Sequence, residues 1–141
     1  MSKLLLKENI IINHPSEHKE NMIRKSGQLL VESGYVLPEY IDAMIERDQS
    51  FSVYLGNGLA IPHGIEASKQ NIIKSGISII VCPEGVDWDE GVAKVIVGIA
   101  GVGDEHIDIL SLIAEQFMEE ENVEQMLTLS VDDIYHMFKR K

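Results

Sequence analysis

The chain has 141 residues, 45% of them apolar and 25% charged, enough hydrophobic material for the core of one globular domain spanning 1–141. Twelve Lys and Arg against 23 Asp and Glu give a formal net charge of -11, which repels polyanions unless a local basic patch meets them and so argues against nucleic-acid binding. The longest charge-free apolar run, Val95 to Gly103, is nine residues against about 20 for a membrane span, and Leu4-Leu5-Leu6 is too short for a signal-peptide core. A single cysteine, Cys82, rules out an internal disulfide and any CxxC arrangement, which fits a reducing cytoplasm.

In chain order, Leu4 to Ile12 reads as a short strand with its approach. Pro15-Ser16 then supplies a helix start with Ser16 as N-cap, and the helix is expected to reach Glu32, with Met22, Ile23, Leu29 and Leu30 at helical spacing and Gly34 at its C-terminal side. Pro38 suits the first turn of a second helix, whose apolar face carries Ile41, Met44 and Ile45 and whose end carries Arg47. A polar loop leads to the brief extended segment Leu59 to Pro62. Ile72 to Val81 and Lys94 to Ala100 are short, rich in Ile and Val and bounded by Gly, Pro and acidic residues, so both read as buried strands joined by an acidic loop from Pro83 to Gly91. From Asp104 the period turns helical, with Ile107, Leu110, Ile113, Ala114 and Phe117 expected on the core side, followed by Val123 to Leu127 and Asp132 to Phe138. Strands mixed with helices throughout predict an α/β or α+β packing of sheet and helices.

Three positions could carry chemistry. In Gly56-Asn57-Gly58-Leu59-Ala60-Ile61-Pro62-His63-Gly64, Pro62 and Gly64 would mount His63 rigidly at the end of a short strand with open backbone beside it; the alternative is a turn histidine with no task. His106 follows Gly103-Asp104-Glu105 where a strand gives way to a helix, a place suited to an anion such as phosphate; the alternative is a solvated first-turn residue behind an Asp104 cap. Arg47 is the last cation before Lys69, with Glu39, Asp42, Glu46 and Asp48 near it, so it is either paired with an acid or held for an external anion. His14 and His18 have the spacing of a helical metal pair but are separated by Pro15, which argues against it. His136 reads as a packing residue, and Cys82 as a small hydrophobe in a strand. The acidic set Asp104, Glu105, Asp108, Glu115, Glu119, Glu120, Glu121 and Glu124 reads as a solvated helix face or a surface for a basic partner.

Taken together, Gly34-Tyr35-Val36, Pro38-Glu39-Tyr40, Glu46-Arg47, Tyr54-Leu55-Gly56, Ala60-Ile61-Pro62-His63-Gly64, Pro83-Glu84-Gly85-Val86, Val97-Gly98-Ile99-Ala100 and Glu105-His106-Ile107 resemble the EIIA domain of the mannitol and fructose class in the phosphoenolpyruvate-dependent sugar phosphotransferase system. The resemblance covers nearly the whole chain in order and is strongest for the mannitol branch, as a stand-alone EIIA. It implies an α/β fold with a mixed sheet of about five strands flanked by helices on both faces. It also implies a cytoplasmic phosphotransferase that needs no cofactor or metal: the carrier protein HPr donates a phosphoryl group to His63, through Nε2, and a cysteine of the EIIB component of the sugar permease takes it on. His106 maps onto the second active-site histidine, Arg47 onto the phosphate-binding arginine, and Asn57 onto a supporting position that varies. Two rival readings remain: an EIIA-like module that controls a transcription regulator or transporter, and a metal-dependent hydrolase built on His63 and His106, for which no compact ligand motif is present.

Overall fold

The computed structural model describes residues 4–117 and 120–139. Five strands make one mixed sheet in the order β1-β4-β5-β3-β2, with β1 at Ile10–Ile11, β2 at Tyr54–Gly56, β3 at Leu59–Ala60, β4 at Gly76–Asp87 and β5 at Val92–Ala100. β4 and β5 are antiparallel and form the centre; β1 runs parallel to β4, β3 parallel to β5, and β2 closes the edge antiparallel to β3. From Ile77 to Cys82 and from Val95 to Ala100 every residue is buried. Successive strand side chains point to opposite faces, so both faces of the central pair are covered, which explains why these strands read as continuous apolar runs.

The cover is helical. α1 (Lys19–Glu32) buries Met22, Ile23, Ser26, Gly27 and Leu30 and lies on β4 and β5. Its contact is close because Gly98 presents no side chain: a Cβ there would lie 2.6 Å from Ser78 Oγ and 3.1 Å from Ser26 Cβ. Ser78 Oγ instead donates to the Ser26 carbonyl at 2.9 Å, so this buried hydroxyl between helix and sheet is satisfied. The helix stops in a Schellman turn, Tyr35 N to Leu30 O at 2.9 Å and Gly34 N to Val31 O at 3.1 Å, with Gly34 at φ 84°, a conformation that glycine adopts without steric penalty. α2 (Glu39–Ser50) starts at Pro38 and buries Tyr40, Ala43, Met44 and Asp48 on one stripe. It packs against α1 at Gly27, where a Cβ would fall 2.8 Å from Ile41 Cγ1. α3 (Glu105–Phe117) and α4 (Glu120–Met126) pack against β5, and α5 (Val131–Lys139) against β1.

Several sequence expectations shift. The N-terminal strand shrinks to two residues because Lys7–Asn9 coil into a 3-10 turn, although Leu4 still accepts from Ile77 N at 2.9 Å. Ser16 does not cap α1; His18 does, its ring accepting from Glu20 N, while Ser16 Oγ donates across to the Gly85 carbonyl at 2.6 Å. β4 begins at Gly76, after the 3-10 turn Glu66–Asn71 and an isolated bridge of Ile72 with Val36, and it runs on to Asp87 through the expected loop. Pro83 is tolerated there because the ladder is interrupted between Val81 and Val86, so its missing N–H costs no sheet bond. His136 is exposed on α5 beside the Tyr135 ring and is not a packing residue. In the acidic set, Glu119 lies outside the described residues.

Candidate functional site

The site forms at the carboxyl ends of two parallel strands, where open α/β sheets place ligands. Leu59 and Ala60 pair with Val95 and Ile96; Pro62 then carries the chain to His63, which bridges Ile99 in the same parallel sense. Beyond β5, Gly101 lets the chain turn tightly into α3, since a Cβ at Gly101 would lie 2.4 Å from His106 Cα. The two imidazoles therefore meet, with ring centroids 5.4 Å apart and planes tilted by 49°. Two histidines separated by more than forty positions in sequence become neighbours because β3 and β5 are adjacent and end together.

His63 is buried, and its Nδ1 lies 2.7 Å from the Ile61 carbonyl oxygen. A carbonyl oxygen only accepts, so the ring hydrogen sits on Nδ1, and the neutral imidazole keeps its lone pair on Nε2. Burial pushes the His63 pKa below its ordinary value; the Ile61 carbonyl pulls the other way, and the positive charges of Arg47 and His106 add to the downward shift. The geometry thus holds a neutral imidazole with a defined tautomer among groups that favour an incoming anion.

Arg47 stands in the last turn of α2. Its Nη1 donates to the Phe51 carbonyl, and its guanidinium carbon lies 5.3 Å from the centre of the Phe51 ring. Among the described residues it makes no ion pair, so of the two alternatives open in the sequence, pairing with an acid is not seen among them. Asp48, one of the acids near it in sequence, is engaged elsewhere. Its Oδ1 accepts from Trp88 Nε1 at 2.9 Å and from Val53 N at 3.1 Å, and its Oδ2 meets Lys19 Nζ at 3.0 Å. Burial alone raises the Asp48 pKa, but these hydrogen bonds and the lysine charge outweigh it and hold the carboxyl below the usual range. The clamp fixes the end of α2, and hence the base of Arg47, against β2 and the β4–β5 turn.

Asn57 is not brought to this place. Gly58 O accepts from Lys94 N and Val95 N, which puts the Gly56-Asn57-Gly58 turn at the start of β3, while His63 lies past its end. Six residues of extended chain, at about 3.3 Å each, separate the two by up to roughly 20 Å. Asn57 is exposed with φ 56° and lines a shallow recess of about 340 Å³ with Tyr54, Gly58, Val92, Lys94 and Glu124. His14 and His18 are also separated in role: His14 is buried with Nδ1 2.7 Å from Pro15 O and Nε2 3.5 Å from Glu17, whereas His18 caps α1. Cys82 is buried in β4, and burial raises its thiol pKa, as expected of a small hydrophobe. No helix among the described residues is long and apolar enough to cross a membrane.

Sequence reasoning gave no role to Tyr40 or to the Ile61 carbonyl. Tyr40 stood in one of the matching blocks, but only the folded chain shows that its hydroxyl accepts from Gly64 N at 2.9 Å and donates to Ile99 O at 2.9 Å.

A mixed five-stranded sheet with paired histidines at its carboxyl edge agrees with the class indicated by the motifs, and the sequence profile of the "Phosphoenolpyruvate-dependent sugar phosphotransferase system, EIIA 2" family matches residues 3–141. The chain belongs to this family and so to a system that works by phosphoryl transfer. It is 47% identical over 140 residues to the mannitol-specific phosphotransferase enzyme IIA component of Staphylococcus aureus, covering 99% of this chain and 97% of that one. Against the component of the same name from Halalkalibacterium halodurans it is 52% identical over 130 residues, 92% and 90% of the two chains. Among solved structures it resembles the crystal structure of IIA mannitol from Escherichia coli, with a TM-score of 0.85 and 34% identity over 93% of this chain and 96% of that one. The E. coli complex of enzyme IIA and phosphorylated enzyme IIB for mannitol gives a TM-score of 0.87 and 33% identity over 95% and 96%.

Proposed function

We propose that the chain is a single-domain, cytoplasmic phosphoryl carrier that takes a phosphoryl group from phospho-HPr on His63 Nε2 and passes it to a cysteine of an EIIB component during uptake of mannitol. The observation that carries this reading is the fixed tautomer of His63: Nδ1–H on the Ile61 carbonyl, Nε2 available, beside His106 and within the field of Arg47. In the forward step the P–N bond of the donor phosphohistidine breaks as the Nε2–P bond forms, and the proton on His63 Nδ1 stays where it is. In the next step a cysteine thiolate attacks phosphorus and the Nε2–P bond breaks. Transfers of this kind pass through a loose arrangement in which alignment and stabilisation of the three equatorial oxygens supply most of the rate. In this reading Arg47 and His106 supply those donors, with Arg47 tied at the end of its own helix to the Phe51 carbonyl.

The surroundings suit brief docking. Val102 and Ile107, which flank His106 in sequence, and Phe51, under Arg47, are exposed large apolar residues, while Asp104 and Glu105 beside them are exposed acids. An apolar centre with an acidic rim favours a partner with a positive contact face and speeds encounter more than it tightens binding. The identity of the curated relatives carries the mannitol assignment. The test is a reconstituted relay of phosphoenolpyruvate, the first enzyme of the system, HPr and this protein, followed by intact-mass measurement. We expect a gain of one phosphoryl group in the wild type and none in His63→Ala; labelling of His63→Ala at the wild-type level would overturn the assignment.

A further inference from the structure

The hydroxyl of Tyr40 occupies an unusual place. Where a residue of one strand bridges a residue of a parallel neighbour, two ladder bonds flank it: the neighbour's N–H to the preceding carbonyl, and the following N–H to the neighbour's carbonyl. At the His63–Ile99 bridge the first is present, Ile99 N to Pro62 O at 2.9 Å. On the side of the second stands Tyr40 Oη, accepting from Gly64 N at 2.9 Å and donating to Ile99 O at 2.9 Å. A side-chain oxygen thus bridges the two backbone groups immediately after His63, and the strand leaves the sheet at that point. Room for the ring exists only because residue 64 is glycine, since a Cβ there would lie 2.5 Å from Tyr40 Cε1.

From this geometry we infer that Tyr40 is a positioning residue for phosphoryl transfer: its hydroxyl is a spacer between β5 and the segment after His63 that sets where the imidazole stands relative to His106 and Arg47. The inference rests on the reading of His63 as the phosphoryl acceptor. Three further observations bear on it. Tyr40 is 2% exposed, so it acts from beneath the site and is not part of the docking face. Burial pushes its pKa up to about 12, so the hydroxyl keeps its proton and remains a donor to Ile99 at any working pH. Finally, Tyr40 and Arg47 sit on the same helix, seven residues or about two turns apart, so α2 carries both the hydroxyl bonded beside the acceptor and the guanidinium whose charge acts on its imidazole.

Without the hydroxyl, a half-buried N–H and a buried carbonyl lose their shared partner, and the segment restores bonding by closing Gly64 directly onto Ile99. A shift of about an ångström between reacting groups costs on the order of 10²-fold in rate. The experiment compares wild type, Tyr40→Phe and, as a control for lost stability, Ser78→Ala, which removes a buried hydroxyl bond between β4 and α1 and lies outside the site. We expect Tyr40→Phe to lower the saturating rate of transfer from phospho-HPr by about ten- to a hundred-fold, with the half-saturating HPr concentration unchanged. The His63 ring ¹⁵N resonances should shift as well, while Ser78→Ala lowers the melting temperature but keeps both readouts. Should Tyr40→Phe not fold, Gly64→Ala keeps the hydroxyl but displaces the ring, and it is expected to give the same rate loss. A Tyr40 variant with wild-type rate and wild-type His63 resonances, or one that loses no more rate than Ser78→Ala, would overturn the inference alone. Wild-type protein that takes no phosphoryl group on His63 would overturn the underlying reading, and the inference with it.

Discussion

The two ends of β3 carry similar sequences and have different surroundings. At its start, Asn57 stands between Gly56 and Gly58; past its end, His63 stands between Pro62 and Gly64. Each is a polar residue on a permissive backbone. At the start, the glycines do conformational work, with φ 103° at Gly56 and 86° at Gly58, so the pattern there encodes a tight turn between the edge strand β2 and its neighbour β3. At the far end, Gly64 serves closeness and not handedness, letting the Tyr40 ring approach. What separates them chemically is topology: the carboxyl ends of β3 and β5 bring together His63, His106 and Tyr40 within the field of Arg47, while the opposite end offers Tyr54, Lys94 and Glu124 around an open recess. Glycine beside a polar residue is thus a statement about backbone, and its chemistry depends on which strand ends adjoin it.

The sharpest way to break this comparison is to remove donors from each end. Arg47→Ala or His106→Ala is expected to slow phosphoryl transfer by about 10²- to 10³-fold, the usual loss for one donor in a site of this kind, while Asn57→Ala leaves the rate within a factor of about two, like other changes remote from the chemistry. Rapid-quench kinetics with phospho-HPr decide it; a large loss with Asn57→Ala would mean that the recess takes part in transfer.

A smaller effect concerns what holds the site end rigid. Asp48→Ala leaves Trp88 Nε1 and Val53 N without their buried acceptor and is expected to cost about 3 kcal/mol of stability by denaturant titration. Because the folded pKa of Asp48 is depressed, its contribution is complete above the unfolded value of about 3.9 and is lost as pH falls through the folded value. Wild type should therefore lose more stability than Asp48→Asn as the medium is acidified below pH 4. Equal acid sensitivity would show that the clamp carries no net electrostatic stabilisation.

The gentlest test is the pH profile of acceptance. If His63 is the acceptor, only its neutral ring can attack, and its pKa lies below the ordinary 6.5, so the acid limb of the rate profile should have its midpoint below 6.5. In His106→Ala, which removes one of the positive charges that lower it, that midpoint should move up. An acid limb above 6.5 in the wild type would mean that His63 is stabilised in its charged form.

Much of the architecture was legible because it is written in periodicity. β4 and β5 are buried on both faces and so read as apolar runs; α2 announces itself through Pro38 and its buried stripe. The missed elements have no local signature. β2, three residues long, is defined only by pairing with β3, and β4 passes through Pro83 because a bulge there needs no N–H. Ser16 looked like a cap, yet it ties the chain to Gly85, a contact between residues far apart in sequence. In the site, His63 was marked by the glycines around it and His106 by its place where a strand gives way to a helix, and their mutual approach follows from strand order. Arg47 was marked by its isolation from other cations, but that Asp48 beside it is taken by Lys19, Trp88 and Val53 shows only in the folded chain. Tyr40 was hidden because its task is a hydrogen bond to two backbone groups, which leaves no pattern in side-chain spacing.

The central assignment is that phosphorus bonds to one atom, Nε2 of His63, while Nδ1 keeps its proton on the Ile61 carbonyl. Long-range ¹H–¹⁵N correlation of the protein labelled on histidine and phosphorylated through phospho-HPr reads this atom directly. We expect phosphorus coupling at Nε2 of His63 and a protonated Nδ1 on the same ring; coupling at Nδ1 of His63, or at either nitrogen of His106, would show that the group is carried elsewhere.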